Sequence, residues 1–163
     1  MTIRKSSAEW QGTIHKGHGH MRLGSGAYDG AYSYNSRFGD GGGANPEELL
    51  GAAHAGCFSM ALAVGLTKAG FKPVDIRTTA SVHFDPVNGA PTITLIELTT
   101  GADVPGIDKA DFARIAEDAK ANCPVSRVLG AVKITLDATL KGRNGPVADI
   151  GIHAVFKQAG YPP

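Results

Sequence analysis

The chain has 163 residues, a formal net charge of +1, 42% hydrophobic residues and 22 glycines. This length fits one domain at the usual ~100–200 residues per domain, and it is enough to bury a sizeable core. Sixteen basic residues against fifteen acidic ones provide no electrostatic footprint for nucleic acid or an anionic membrane, so we expect neither partner. The composition is also too apolar for an intrinsically disordered chain.

Two segments bear on cellular location. The N-terminus runs from Met1 directly into polar residues and shows no apolar segment of a secretory signal. Residues 49–66 carry no formal charge and approach the length of a membrane span. They include three glycines and His54, with charged residues close to both ends, so we interpret them as a buried core helix. We therefore expect a cytoplasmic protein.

The first half of the chain predicts three strands and a long helix. A hairpin turns at residues 16–17, and residues 32–38 form a third candidate strand. Asn45 can cap the helix that follows, with Pro46 at its first position and Gly70 just beyond its end. Because this helix is apolar on nearly all sides, we expect it to lie inside the protein.

The second half predicts a strand hairpin, a helix and a last strand. Apolar residues alternate over residues 76–84, and a second strand covers residues 92–99. Asp108 opens a helix, for which we predict the inner face Phe112, Ile115, Ala116 and Ala119. A short helical turn covers residues 124–129, and residues 132–140 form the last strand. Strands grouped in this way indicate an α+β fold with mostly antiparallel sheet.

The end of the chain differs in character from the rest. We assign residues 1–141 to one domain and residues 142–163 to a C-terminal extension. Apolar residues in this extension are compatible with a short amphipathic helix or a docking segment. An artificial addition is equally compatible with its sequence.

Cys57 and Cys123 are the only cysteines, which is too few for a disulfide scaffold of the secreted kind. They are either two buried small hydrophobic residues or a working thiol pair. Burial in the apolar helix would raise the pKa of Cys57, so a reactive Cys57 needs a cation from elsewhere, such as Arg37 or Arg127. Cys123 directly precedes Pro124 at a predicted helix start, where amide donors favour a thiolate. Local chemistry alone therefore favours Cys123 as the nucleophile.

Other candidate sites have weaker support. Glu47 would lie about 15 Å from Cys57 along the helix at ~1.5 Å per residue, so it cannot touch that sulfur within one helix. It is equally explained as a first-turn carboxylate that the helix dipole favours. His54 and Cys57 lie one turn apart and would suit a structural zinc site, but no second spaced pair accompanies them. The glycine-rich segments lack the spacing of a nucleotide-binding loop.

Several motifs together resemble one family. Residues 45–62, which contain Asn45-Pro46-Glu47-Glu48 and His54-Ala55-Gly56-Cys57, resemble the central helix of the OsmC/Ohr superfamily, which includes the osmotically inducible thiol peroxidases. Residues 104–108 and 122–126 resemble its second helix region, and Ser36-Arg37-Phe38 resembles the strand that carries its active-site arginine. Residues 1–3 and 8–12 match as well. The resemblance covers residues 1–141, and the tail departs from the family pattern.

The resemblance implies a cysteine-based peroxidase that acts preferentially on organic hydroperoxides, and more weakly on hydrogen peroxide, in the oxidative or osmotic stress response. It implies an intertwined homodimer in which antiparallel β-sheets wrap around two long central helices. A lipoyl-type dithiol reductant is suggested. No cofactor or metal is implied.

The same resemblance assigns a role to each site residue. Cys57 resembles the peroxidatic cysteine and Cys123 the resolving one, which reverses the preference from local chemistry. Arg37 resembles the arginine that holds Cys57 as a thiolate and binds the peroxide. Glu47 resembles the glutamate that positions this arginine, and it can act from the partner chain. The alternative is a non-catalytic protein of the same fold that binds an apolar small molecule and has inert thiols.

Overall fold

The computed structural model describes residues 1–141, and the C-terminal extension, residues 142–163, lies outside the described residues. The chain divides into two compact units, Met1–Leu50 and a second unit that begins at Gly51. The boundary falls inside a helix. The assignment of residues 1–141 to one domain stays a prediction.

The first unit contains a three-stranded antiparallel sheet. Its strands are β1 (Ser6–Gln11), β2 (His18–Leu23) and β3 (Asp29–Ser33), in the order β1-β2-β3. The predicted N-terminal hairpin is thus confirmed. Gly19 lies directly beneath the Tyr32 ring, where any side chain would collide with it.

The third predicted strand, residues 32–38, is wrong beyond Ser33. Residues Tyr34–Phe38 form a short helix, α1. The Ser33 hydroxyl oxygen accepts a hydrogen bond from the Ser36 N–H at 3.1 Å, and the Ser36 oxygen accepts one from the Ser33 N–H at 2.9 Å. This reciprocal capping box starts a helix where alternation alone indicated a strand. Arg37 consequently lies on a helix.

Helix α2 (Pro46–Lys68) begins and ends where the sequence predicts. The Glu48 N–H donates to Asn45 Oδ1 at 2.8 Å, so Asn45 caps the helix. At the other end Gly70 has a φ of +89°, and its N–H donates to the Thr67 carbonyl at 3.0 Å. The Phe71 N–H donates to the Leu66 carbonyl at 3.0 Å. These two bonds form a Schellman motif, which favours glycine at this position.

Only one face of α2 is buried within the single chain. Phe58, Leu62 and Leu66 are fully buried, whereas Met60 and Val64 are 73% and 53% exposed. The expectation that the whole helix lies inside is therefore wrong for one chain. By length and composition α2 could also cross a membrane, with a mean hydropathy of 1.7. Its buried face instead packs into the core of the second unit.

The second unit contains a mixed three-stranded sheet. Strands β4 (Asp75–Val87) and β5 (Ala90–Asp103) form an antiparallel hairpin around the two-residue turn Asn88-Gly89. Both turn residues have positive φ, as tight hairpin turns require. Strand β6 (Lys133–Leu140) pairs with β5 in the parallel direction. The described sheets are thus mostly antiparallel, as the sequence predicts, and the β5–β6 pair is parallel.

Two helices connect β5 to β6, and this connection explains the parallel pairing. They are α3 (Lys109–Asn122) and α4 (Pro124–Val128). A parallel strand can return to the sheet only through a long crossover of this kind. Asp108 caps α3 by accepting the Asp111 N–H at 2.8 Å. The predicted inner face of α3 is confirmed as buried, and the α+β class is confirmed. The buried face consists of Phe112, Ile115, Ala116 and Ala119.

Candidate active site

Arg37 and Glu47 form an ion pair in the first unit. Arg37 Nη2 donates to Glu47 Oε1 at 2.7 Å, and Arg37 Nε lies 3.2 Å from both carboxylate oxygens. Glu47 is only 9% exposed, while the Arg37 side chain is 37% exposed. The two residues are ten positions apart in one chain. Glu47 therefore holds the Arg37 guanidinium in a defined orientation.

Local hydrogen bonds fix both partners of this ion pair. The Ser36 hydroxyl donates to the Ala44 carbonyl at 2.8 Å, and Asn45 Nδ2 donates to the Ser36 carbonyl at 3.2 Å. These bonds tie the loop between α1 and α2 back onto α1. As a result, the last turn of α1, which carries Arg37, stays beside the first turn of α2, which carries Glu47.

The second unit brings the two cysteines together. Cys57 lies in the middle of α2, and Cys123 lies at the junction of α3 and α4. Both thiols are free, and they lie close enough that each shifts the pKa of the other. Two neighbouring thiols of this kind are placed to form a disulfide. The working-pair interpretation thus has the geometry that it needs.

Cys123 is fully buried but surrounded by hydrogen-bond donors. Burial by itself raises the pKa of Cys123, but the backbone N–H of Ser126, the Cys57 thiol, the Ser126 hydroxyl and the backbone N–H of Val125 outweigh it. The pKa of Cys123 therefore lies below its ordinary value. Pro124 occupies the first position of α4 and leaves the following amide groups directed at the sulfur.

Cys57 has the opposite acidity and the opposite access. Burial raises the pKa of Cys57, and its hydrogen bond with Cys123 raises it further, although an N–H from Val125 lowers it. The Cys57 side chain is nevertheless half-buried, whereas Cys123 has no exposed surface. Within the second unit, acidity thus favours Cys123 as nucleophile and access favours Cys57.

His54 and Ser126 extend the thiol pair into a chain of hydrogen bonds. His54 Nε2 lies 2.8 Å from Ser126 Oγ, and the Ser126 hydroxyl lies near enough to Cys123 to lower the pKa of that thiol. His54 is fully buried, and burial lowers its pKa. Sequence reasoning noted His54 only as a zinc ligand and missed Ser126. The signal was present, because a serine three residues after Cys123 lies in the first turn of a helix that the cysteine caps.

An apolar cleft of about 770 Å³ opens beside Cys57. Met60, Val64 and Ile115 line it, and Lys68 and Arg114 contribute charged groups. Cys123 does not line the cleft, so a molecule that enters it meets the Cys57 sulfur first. The cleft is large enough for a small organic molecule.

The described residues give no support to a metal centre. Within residues 1–141, no three His, Cys, Asp or Glu side chains cluster closely enough to hold a metal ion. His54 Nε2, which the zinc interpretation would use, is paired with Ser126. The single His54–Cys57 spacing in the sequence is better explained by the hydrogen-bonded chain.

Comparison with known proteins assigns the family. The family model described as OsmC-like protein matches residues 39–137. The chain is 50% identical to peroxiredoxin OsmC of Escherichia coli over 143 residues, which cover 86% of this chain and 99% of that protein. The chain belongs to the OsmC family. The resemblance stated from the sequence motifs is confirmed.

More distant OsmC relatives agree with this assignment. The chain is 33% identical to an organic hydroperoxide resistance protein of Xanthomonas axonopodis pv. citri over 101 residues, which are 61% of this chain and 67% of that protein. A crystal structure of an organic hydroperoxide resistance protein from Elizabethkingia anophelis matches with a TM-score of 0.66 at 25% identity. That match covers 86% of this chain and 99% of the crystallised chain. The OsmC fold predicted from the sequence is confirmed.

Membership of the OsmC family does not assign the individual residues. The structure brings the four predicted site residues together as two pairs, Arg37 with Glu47 and Cys57 with Cys123. Their roles as peroxidatic cysteine, resolving cysteine, anchoring arginine and positioning glutamate stay predictions.

Proposed function

We propose that this chain is a cysteine-based peroxidase that reduces organic hydroperoxides, with Cys57 as the peroxidatic and Cys123 as the resolving cysteine. The proximity of two free thiols from distant parts of the chain, each of which shifts the pKa of the other, carries this proposal. The relatives named peroxiredoxin and organic hydroperoxide resistance protein support the same reaction class.

The chemistry follows from the thiol pair. The Cys57 thiolate attacks one peroxide oxygen, the O–O bond breaks, and the alcohol leaves after taking up a proton. Cys57 then carries a sulfenic acid. Cys123 attacks the Cys57 sulfur, the S–O bond breaks, and a disulfide and water form. A dithiol reductant returns both residues to thiols by exchange. Sulfur provides both electrons, so this cycle requires no metal, flavin or haem.

Access decides between the two cysteines. Cys57 lines the cleft, whereas Cys123 has no exposed surface and does not line it. A hydroperoxide can reach Cys123 only if the second unit rearranges. The low pKa of Cys123 suits a resolving thiol, because that residue also attacks as a thiolate.

Arg37 and Glu47 complete the proposed machinery. Cys57 lies in an apolar helix and its pKa is raised by burial, so its ionisation requires a positive charge. We assign this role to Arg37, as the family resemblance implies, and the role of orienting Arg37 to Glu47. Their short ion pair supports the second assignment directly.

The cleft supports an organic substrate. Its lining near Cys57 is mainly apolar, with Met60, Val64 and Ile115. Apolar walls favour an alkyl or aryl hydroperoxide over hydrogen peroxide, because only the former buries apolar surface on binding. We propose a lipoyl-type dithiol as reductant on the basis of the family resemblance.

We further propose that the protein is a cytoplasmic homodimer. Met60 and Val64 on α2 line the cleft and are largely exposed in the single chain. A partner chain that closes this face over the cleft would remove apolar surface from water and place the substrate site at the subunit interface. The family resemblance implies a dimer whose central helices lie together. Sedimentation equilibrium of the purified chain tests this arrangement.

Peroxide consumption tests the function. We would measure dithiol-dependent loss of cumene hydroperoxide and hydrogen peroxide with the wild type, Cys57→Ser and Cys123→Ser. The wild type should consume cumene hydroperoxide faster, and Cys57→Ser should be inactive. Cys123→Ser should still form one sulfenic acid per chain, which dimedone traps.

Two results would contradict the proposal. Sulfenic acid on Cys123 in the Cys57→Ser variant would reverse the two roles. No consumption by fully reduced wild type would remove the peroxidase and favour a small-molecule-binding protein with inert thiols.

A further inference from the structure

His54 is a fully buried polar residue that the proposed reaction leaves without a role. It precedes Cys57 by one helical turn on α2, and its Nε2 lies 2.8 Å from Ser126 Oγ, 72 positions further along the chain. Its other ring nitrogen, Nδ1, is buried and has no hydrogen-bond partner among residues 1–141. A buried polar group with one atom unpaired lowers stability, so its presence calls for a physical explanation.

The unpaired Nδ1 determines how the proton sits on the ring. A neutral imidazole carries one N–H and one bare nitrogen. Burying an N–H donor without an acceptor costs more free energy than burying an unprotonated ring nitrogen without a donor. The N–H therefore belongs on Nε2, which then donates to Ser126 Oγ. Burial, which lowers the pKa of His54, keeps the ring in this neutral form.

The donation from His54 determines the direction of the Ser126 hydroxyl. With its oxygen accepting from His54, the Ser126 O–H is free to donate to a different acceptor. Cys123, three residues earlier at the N-cap of α4, is the neighbouring acceptor whose pKa this hydroxyl lowers. The chain of donors thus runs from His54 through Ser126 to the Cys123 sulfur. Without His54, the hydroxyl could rotate away.

We propose that His54 and Ser126 are positioning residues that direct a hydroxyl proton at Cys123 and accelerate the resolving step. This inference rests on the proposed function, because it assigns the pair to the second half of that reaction. In this step the Cys123 thiolate attacks the Cys57 sulfenic acid, the S–S bond forms and the S–O bond breaks. The oxygen takes up a proton and leaves as water, so no further oxidant or reductant is needed.

The surroundings of Cys123 show how large the contribution should be. The backbone N–H groups of Val125 and Ser126 also lower the pKa of Cys123, and Cys57 is the titratable group next to it. Loss of the Ser126 hydroxyl should therefore reduce the stabilisation of the Cys123 thiolate but not remove it. Removal of one hydrogen bond to an ionised group typically changes an equilibrium constant or a rate constant by about 10-fold or more.

Stopped-flow kinetics separate the two steps. Reduced protein is mixed with cumene hydroperoxide, and sulfenic acid and disulfide are followed separately. Ser126→Ala should slow disulfide formation about 10-fold and leave the rate of sulfenic acid formation within about 2-fold. Ser59→Ala is the matched control, because Ser59 lies on α2 with His54 and Cys57 but donates its hydroxyl to Thr78 at 2.8 Å. It should change neither step.

His54→Leu tests the other half of the pair. Leucine fills a buried apolar site and removes the unpaired nitrogen, so the variant should fold and retain or gain thermal stability. Disulfide formation should nevertheless slow by about 2–10-fold, the value of a neutral hydrogen bond. A merely structural histidine would show the reverse, with lower stability and an unchanged resolving rate.

A thiolate titration tests the same inference without any peroxide. In Cys57→Ser, absorbance at 240 nm follows Cys123 alone. Adding Ser126→Ala should raise the pKa of Cys123, and Ser126→Thr, which keeps a hydroxyl, should restore it. An unchanged titration together with an unchanged resolving rate in Ser126→Ala would overturn the inference. If the wild type forms no sulfenic acid while the titration still shifts, the proposed function fails and the positioning by Ser126 stands.

Discussion

The two pairs of candidate site residues are built in opposite ways. Arg37 and Glu47 are ten positions apart, are held by capping and loop hydrogen bonds, and interact through full charges. Cys57 and Cys123 come from different helices and meet inside an apolar core. The guanidinium is more than a third exposed, whereas Cys123 is not exposed at all.

The difference shows how each pair controls charge. An exposed guanidinium keeps its charge without help and needs only orientation, which the buried Glu47 provides. A buried thiol loses hydration and must regain stabilisation from fixed donors, which Val125 and Ser126 provide. The ion pair is therefore a local device, and the thiol pair depends on tertiary packing.

The largest expected effect concerns the ion pair. Arg37→Ala should lower kcat/KM for cumene hydroperoxide by about 10²–10³-fold, the usual loss when one positioned electrostatic group is removed. Arg77→Ala is the matched control, since Arg77 also pairs with a carboxylate, Asp75, at 3.0 Å. Its kcat/KM should remain near that of the wild type. Equal losses in both variants would mean that Arg37 acts only through stability.

The second-largest expected effect is on stability, where truncation of a side chain near the thiol pair should cost more than truncation near the ion pair. Leu62 is fully buried one turn beyond Cys57, and Leu62→Ala should lower the free energy of unfolding by about 2–5 kcal/mol. Phe38, beside Arg37, is exposed by 43%, and Phe38→Ala should cost less than about 1 kcal/mol. Urea unfolding measures both. Similar losses of unfolding free energy in the two variants would contradict the view that the thiol pair depends on core packing and the ion pair does not.

Acid should weaken the thiol region through His54. Burial lowers the pKa of His54 in the folded state below its ordinary value of 6.5, so below that pH the unfolded chain binds a proton that the folded chain excludes. Stability should therefore fall as the pH drops through 6.5, by at most about 1.4 kcal/mol per pH unit.

Urea unfolding at pH 7.5 and 5.5 measures this effect. His54→Leu should lose part of the pH dependence, and the difference between the two proteins cancels the contributions of the other histidines. Identical pH dependence in the two proteins would show that folding does not change the pKa of His54.

The smallest effect concerns the cap that positions Arg37. Ser33→Ala removes the side-chain cap of α1 and should lower the free energy of unfolding by about 1 kcal/mol. It should also reduce kcat/KM, because the last turn of α1 carries Arg37. Ser7→Ala on the exposed surface of β1 should change neither quantity. An unchanged kcat/KM in Ser33→Ala would mean that Glu47 alone positions the guanidinium.

Much of the local structure was predictable because its signals are local. Asn45, Gly70 and Asp108 mark helix ends through bonds to residues a few positions away. The inner face of α3 was predictable because its apolar residues recur at helical spacing. The same locality explains the error at Ser33, since a capping box between Ser33 and Ser36 overrode an alternating pattern.

The sequence by itself determined the element order apart from α1, most helix boundaries, the family and the four candidate site residues. Only the tertiary structure decided that β6 runs parallel to β5, that Cys57 and Cys123 lie side by side, and that Ser126 pairs with His54 near Cys123. These features depend on contacts between residues far apart in the chain. Periodicity and capping report on neighbours within one or two turns, whereas packing of the core decides which distant side chains meet.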